Sequence, residues 1–269
     1  MMDRDIRKAI GAQKSVLCNY CFSWFMAISD KEFCPFCELP EFIHSEESHI
    51  TNSQIEQIGA SFSGKLESVD MDGAEEEINK LIEASGNPIL IYVKGIFHIK
   101  KSNYLISMIS YTRDGFMEEN ARLRAASAKE YAAAREALHT YIYKYENAEK
   151  KGILSSFAAF LSYTKLGMRR PAAITLNKIK DMDEEGHLYK YAEVLMLSCS
   201  SSYKQLLKHA REQLRESPSH NAVYYLTYAL LKNKKARSAL KAAEFSGDLL
   251  KDNRFFDIRR DALEALSSD

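Results

Sequence analysis

The chain contains no run approaching the roughly 20 apolar residues of a membrane span. Its N-terminus, MMDRDIRKAIGAQK, is charged where a secretory signal would be apolar. These absences predict a cytoplasmic protein with no membrane partner. The short patterns on which common chemistries rest are also missing. Gly59, Gly64 and Gly73 fit neither the dinucleotide nor the P-loop spacing, and there is no His-Glu-x-x-His sequence and no nucleophile elbow. No enzyme is expected from these residues. Net charge is absent as well, with 37 Lys plus Arg set against 37 Asp plus Glu.

That zero hides an uneven distribution. From Glu38 to Glu83 there are 12 acidic residues against 2 Lys, while from Tyr203 to Lys241 there are 9 Lys plus Arg against 2 Glu. The chain therefore has an acidic middle and a basic end. At 269 residues, 46 % of them hydrophobic, it has room for two or three domains with packed cores.

Four of the five cysteines are close together: Cys18-Asn19-Tyr20-Cys21, then twelve residues, then Cys34-Pro35-Phe36-Cys37. Each Cys-x-x-Cys makes a tight turn that aims two sulfurs at one point, and the intervening segment is long enough to go out and back. Phe22, Trp24 and Met26 alternate with Ser23, Phe25 and Ala27 as a strand, Ser29-Asp30-Lys31 makes the turn, and Phe33 begins the return. The pattern resembles a zinc ribbon, most plainly in the Cys-Pro-x-Cys knuckle. Cys18, Cys21, Cys34 and Cys37 are then the ligands of one Zn2+, and four thiolates leave no position for water, so the ion is structural. Paired disulfides do not suit a chain without a secretion signal. A rubredoxin-like iron site uses similar spacing but carries glycine after each second Cys, where Phe22 and Glu38 stand. Because such a small module has little core of its own, a Cys-to-Ser change is expected to unfold the ribbon and spare the helical region. His44 and His49 read as surface residues and Cys199, in a Ser-rich turn, as a packing residue.

The fold class read from the sequence is multi-domain and mainly α. The ribbon takes residues 1–42, an acidic linker 43–60, a small α+β domain 61–112, and a helical repeat domain 117–269. In the middle segment Ile78, Leu81 and Ile82 mark a helix, Gly86-Asn87-Pro88 stops it, and Ile89-Leu90-Ile91-Tyr92-Val93 reads as a short buried strand. Asp70, Asp72, Glu75, Glu76 and Glu77 fall where acidic side chains offset the positive end of that helix. His98 reads as a core histidine with no visible partner. Met117 to Lys151 is a long helical stretch, unbroken or split near Glu130 or His139.

Shifting Leu154–Asn253 on itself by 33 residues aligns Leu154, His187 and His220, then Ala173, Leu206 and Ala239, then Ile174, Leu207 and Leu240. These positions resemble a tetratricopeptide repeat, in which two antiparallel helices per unit meet at small residues. The resemblance implies an α-helical solenoid that binds protein or peptide, with Phe255 to Leu266 as its amphipathic cap and Ala173 and Ala239 at close helix contacts.

Two functions of different kinds follow. One is a non-enzymatic adaptor: a protein or acidic peptide segment docks on a basic surface formed by Lys204, Lys208, Arg211, Arg215, Lys232, Lys234, Lys235 and Arg237, with the ribbon as a second contact module. The other is a zinc-ribbon factor associated with nucleic acid, to which the same basic surface would bind. Against the second, the ribbon carries only Lys31 between its cysteine pairs.

Overall fold

The computed structural model describes residues 4–10, 13–43, 53–109, 117–200 and 202–267. His44, His49 and part of the acidic linker lie outside the described residues. Within them the protein is mainly helical, with twelve helices and one two-stranded antiparallel sheet. No helix among the described residues is long and apolar enough to cross a membrane. The chain divides into two compact units, one of Asn19–Phe22 and Ser45–Ala172, the other of Met1–Cys18, Ser23–His44 and Ala173–Asp269.

The first of these units is built from α2 (Ser53–Glu67), α3 (Met71–Ser85), α4 (Ile89–Ser107), α5 (Met117–Glu146) and α6 (Ile153–Lys165). Each packs on the next in sequence, and α6 also touches α4. The expected α+β fold of 61–112 is therefore corrected: the segment Ile89–Val93 is the first turn of a helix. Its neighbours explain the error. Gly86, at φ 64°, is the left-handed C-cap of α3, and its N–H closes on the Ile82 carbonyl. Asn87 then offers its side-chain oxygen to the Ile89 amide at 2.9 Å, which starts α4 at once. Because α4 is buried on most of its circumference, from Ile89 through His98, its apolar run lacks the helical period and reads as a strand.

The helical reading of α3 and its acidic start hold. Asp70 accepts from the Gly73 amide at 3.0 Å as the N-cap, and Ala74, Ile78 and Leu81 form the buried stripe. The α5 helix runs unbroken for 30 residues, about 45 Å. It packs along α4, where Ser102 Oγ donates to the Ser127 carbonyl at 3.0 Å. Phe62 meets Phe97 edge to face and Tyr92 tilts against Tyr141 in the core of this unit.

The second unit comprises α1 (Arg4–Ala9), strands β1 (Lys14–Leu17) and β2 (Trp24–Ala27), most of α7 (Arg169–Met182), α8 (His187–Ser198), α9 (Tyr203–Glu216), α10 (His220–Lys232), α11 (Ala236–Leu250) and α12 (Arg254–Ser267). From α8 to α12 each helix packs on its successor, and α10 touches both α8 and α12, while α1 lies on α9. The paired helices keep the period seen in the sequence: α6, α8 and α10 start at residues 153, 187 and 220, which are 34 and 33 apart. Leu206, Ala210, Ala239 and Ala243 are buried as the register requires. In α7 the register slips by one. Ala172, Thr175 and Ile179 are buried there, while Ala173 is exposed and Ile174 is 51 % exposed. The cap α12 buries Phe255, Ile258 and Ala262, and leaves Phe256 and Leu263 outside the apolar stripe, with Phe256 66 % exposed. Glu193, at a position the repeat usually fills with an apolar residue, accepts from His209 Nδ1 at 2.8 Å and so links α8 to α9.

Candidate metal centre

Strands β1 and β2 pair antiparallel, Lys14 opposite Ala27 and Leu17 opposite Trp24. The reversal between them is the first knuckle itself, closed by the Cys18 amide on the Ser23 carbonyl at 3.0 Å. The expected hairpin, turning at Ser29–Lys31, is thus displaced: its first strand precedes Cys18. The second knuckle is built the same way. The Cys34 amide donates to the Leu39 carbonyl at 2.9 Å, the Glu38 amide to the Cys34 carbonyl at 2.8 Å, and Phe33 bridges Pro40.

Phe22 and Glu38, each directly after the second Cys of a pair, have φ of 54° and 64°. This is the left-handed backbone that glycine supplies most cheaply. The knuckle geometry is present without glycine, so the lack of it no longer separates zinc from iron.

Cys18, Cys21, Cys34 and Cys37 are fully buried, form no disulfides, and their sulfurs all lie within 4.8 Å of each other. Cys18 Sγ and Cys37 Sγ are 3.7 Å apart. Four sulfurs about 2.3 Å from a central ion stand about 3.8 Å apart along each tetrahedral edge. The donor set fits a thiolate-bound metal, and the Phe36 amide points at Cys34 Sγ at 3.3 Å. Cys199 is exposed, against expectation.

The ribbon is tied to the helices of its own unit by buried polar groups that sequence reading passed over. Glu32, 2 % exposed, accepts from the Ile28 and Ser29 amides at 2.7 and 3.2 Å and from the His220 amide, at the head of α10, at 2.9 Å. Burial pushes its carboxyl above the ordinary value, against the pull of these amides. His220 Nδ1 meets the Met26 carbonyl at 3.0 Å, and Asn221 donates to the carbonyls of Phe33 and Cys34. Behind them Arg254 donates to Asn221 Oδ1 at 2.7 Å and to Asp252, whose carboxylate also meets His220 Nε2 at 2.8 Å. Burial alone would raise the Asp252 carboxyl, but Arg254 and His220 outweigh it and hold the group well below the carboxylate range. Phe33 stacks on Tyr191 of α8, ring centroids 4.0 Å apart. This docking predicts that a Cys-to-Ser change reaches the helices gripped by the ribbon as well as the ribbon itself.

The eight basic residues are split in their surroundings. Lys204 and Lys208 are exposed on α9, and Lys234, Lys235 and Arg237 at the start of α11, whereas Arg215 is engaged with Asp5 of α1 at 2.9 Å. A cavity of about 540 Å3 lies where α9 begins and α10 ends, lined by Tyr203, Lys204, Lys232, Asn233 and Lys234.

His98, for which the sequence offered no partner, is 3 % exposed and holds Glu130 through Nδ1 at 2.7 Å. Glu130 stands 32 residues away on α5, out of reach of any local pattern. Ser217, His187 and Glu185 line up as a hydroxyl–imidazole–carboxylate series, but Ser217 is buried at the end of α9 and offers no surface to a substrate. Comparison with family models, curated proteins and solved structures finds no match to this chain, so the reading of these sites rests on their own geometry.

Proposed function

We propose that the chain is a non-enzymatic adaptor in which one structural zinc, held by Cys18, Cys21, Cys34 and Cys37, fixes a tetratricopeptide-like stack that docks an acidic segment of a partner protein. The helix pairs repeating every 33 or 34 residues and the buried alanines at their contacts support the stack. The observation that carries the docking is the cavity with Lys204, Lys232 and Lys234 on its walls, continued by Lys208 along α9. Exposed cations without a matching number of local anions attract carboxylates over about 8 Å at physiological ionic strength.

The test is fluorescence anisotropy of a Glu-rich peptide against the full chain and against a Lys204→Glu, Lys232→Glu, Lys234→Glu variant. The reversal should weaken binding by tenfold or more, and added salt should weaken the parent in the same direction. A parent that ignores the peptide and loses single-stranded RNA or DNA on charge reversal would favour the nucleic-acid reading instead. For the ion, elemental analysis of protein from its own source should give one zinc per chain; iron in its place would overturn that assignment.

A further inference from the structure

The helical unit from α2 to α6 holds a second group of donors that is unrelated to the ribbon. Glu75 on α3, His98 on α4 and Glu130 on α5 each present a ligand atom within 4.8 Å of the others. Glu75 and His98 border a cavity of about 470 Å3 between these three helices, whose walls also include Asn79, Glu83, Lys94 and Glu136. We propose that His98 and Glu75 bind a divalent transition ion at the mouth of this cavity, with Glu130 as the residue that positions the imidazole.

The two sides of the His98 ring carry the argument. Nδ1 lies 2.7 Å from Glu130 Oε2, so a proton on Nδ1 is donated to that carboxylate. In the neutral ring, the form that binds a metal ion, this leaves the lone pair on Nε2. Nε2 faces Glu75 Oε1 at 3.9 Å, too far for a hydrogen bond. A buried ring nitrogen and a carboxylate oxygen thus confront each other with their lone pairs, beside open space. An ion about 2.0–2.2 Å from each donor fills that gap with small side-chain adjustments, and water from the cavity completes the coordination. A ligating histidine whose other nitrogen donates to a carboxylate is the usual support for such an ion. Imidazole with carboxylate suits zinc, manganese or iron(II) rather than calcium.

Lys101 is the competitor. Its ammonium lies 2.9 Å from Asp72 Oδ1, 2.9 Å from Glu75 Oε2 and 3.1 Å from Glu130 Oε1. One ammonium faces three carboxylates here, of which Asp72 is open to solvent, and the cation on the cavity wall, Lys94, is bonded to Asn79 Oδ1 at 2.8 Å, so the cluster stays net negative and suits a dication. The bond to Asp72, on the exposed side, keeps Lys101 paired when Glu75 turns to the ion.

The experiment uses the full chain in a Cys199→Ser background, which removes the exposed thiol, with the four-thiolate site filled first. It is then dialysed against Zn2+ and the bound zinc is counted. Two equivalents are expected in the parent and one in Glu75→Gln, a conservative change at a half-buried carboxylate, with the thiolate-held equivalent unaffected. Lys101→Met, which removes the competing cation, should tighten the second equivalent by tenfold or more. A single equivalent in both the parent and Lys101→Met would overturn the proposal, as would a second equivalent that persists in Glu75→Gln and His98→Asn. Failure of acidic-peptide binding has no bearing on either outcome.

Discussion

The two units are held together in different ways. In the unit that carries β1, β2 and α8–α12, the decisive contacts are polar, buried and remote in sequence: Glu32 to His220 and Asn221 to Phe33 each join residues 188 positions apart. In the unit of α2–α6 the contacts are mostly apolar and near in sequence, and its central charged cluster joins residues 32 positions apart or fewer. The first arrangement seats the four-cysteine module on α8 and the head of α10, and that docking needs a very long loop to close although α8 to α12 pack on their chain neighbours. The second assembles from helix pairs that adjoin along the chain. Dependence on the four-thiolate site should therefore be strongest in the helices that the ribbon grips.

The largest expected effect is on that difference. Zinc ligation provides on the order of 10 kcal/mol to small thiolate modules, and here the module grips the head of α10 through Glu32 and Asn221. Cys34→Ser, which disables the four-thiolate site alone, should strip hydrogen-exchange protection from α8 and α10 and leave α3, α4 and α5 protected. Protection of α10 that outlasts the metal would show that the ribbon is an appendage to the stack after all.

Next in size is the Asp252–Arg254 pair, with the two side chains 8 % and 18 % exposed. Breaking a buried pair by removing one partner costs about 3–5 kcal/mol, so Asp252→Ala should lower the unfolding free energy extrapolated from urea titration by that amount. The pH dependence follows from the same contact. The Asp252 carboxyl is depressed below its ordinary 3.8, so its contribution is present above pH 3.8 and is lost as pH falls below that value toward the folded pKa. Asp252→Asn should remove this acid-side loss. An unchanged acid limb in Asp252→Asn would mean that other groups govern it.

How much of this was legible in the sequence depends on the range of each signal. The four cysteines announced their cluster because each Cys-x-x-Cys turn fixes two sulfurs within a few residues, and α3 announced itself through Asp70, Gly86 and the Ile78–Leu81 stripe. The period of 33 or 34 survived into the helix starts. By contrast, α4 was misread because a helix buried on most sides loses its polar face and with it the 3.6 period. The knuckle reversal at Cys18–Ser23 was missed because alternation in Phe22–Ala27 identifies a strand and says nothing of its partner. Glu32, Asn221 and Asp252 gave no signal at all: each is an ordinary polar residue until the fold brings a partner from far along the chain.

The register correction provides a paired prediction of moderate size. Ala239 is fully buried on α11, so Ala239→Leu should cost about 1–3 kcal/mol by overpacking. Ala173 is exposed on α7, and Ala173→Leu should change the melting curve within about 0.5 kcal/mol. Equal effects at the two sites would restore the unshifted repeat register, with Ala173 at a helix contact.

The smallest effect tests the apolar unit, at Gly95 on α4. Two terms oppose each other there. Replacing a mid-helix glycine by alanine gains about 1 kcal/mol of helix propensity. The added Cβ, however, would stand 2.7 Å from Leu138 Cδ2 and 2.9 Å from Leu138 Cγ on α5, with the Ala134 carbonyl oxygen at 3.5 Å. Rotating the Leu138 methyl away relieves the first approach but not the second, and Leu138 is 1 % exposed, with no free space to enter. Relief needs α4 and α5 to separate by a few tenths of an ångström, which would stretch the Ser102–Ser127 bond about two turns further along α4. Overpacking of this kind costs about 1–3 kcal/mol, so Gly95→Ala should be net destabilising by about 1 kcal/mol, with the loss reported by exchange in α4 and α5 and none in α10. A stabilised Gly95→Ala would mean that propensity wins and that α4 and α5 are packed loosely enough to part.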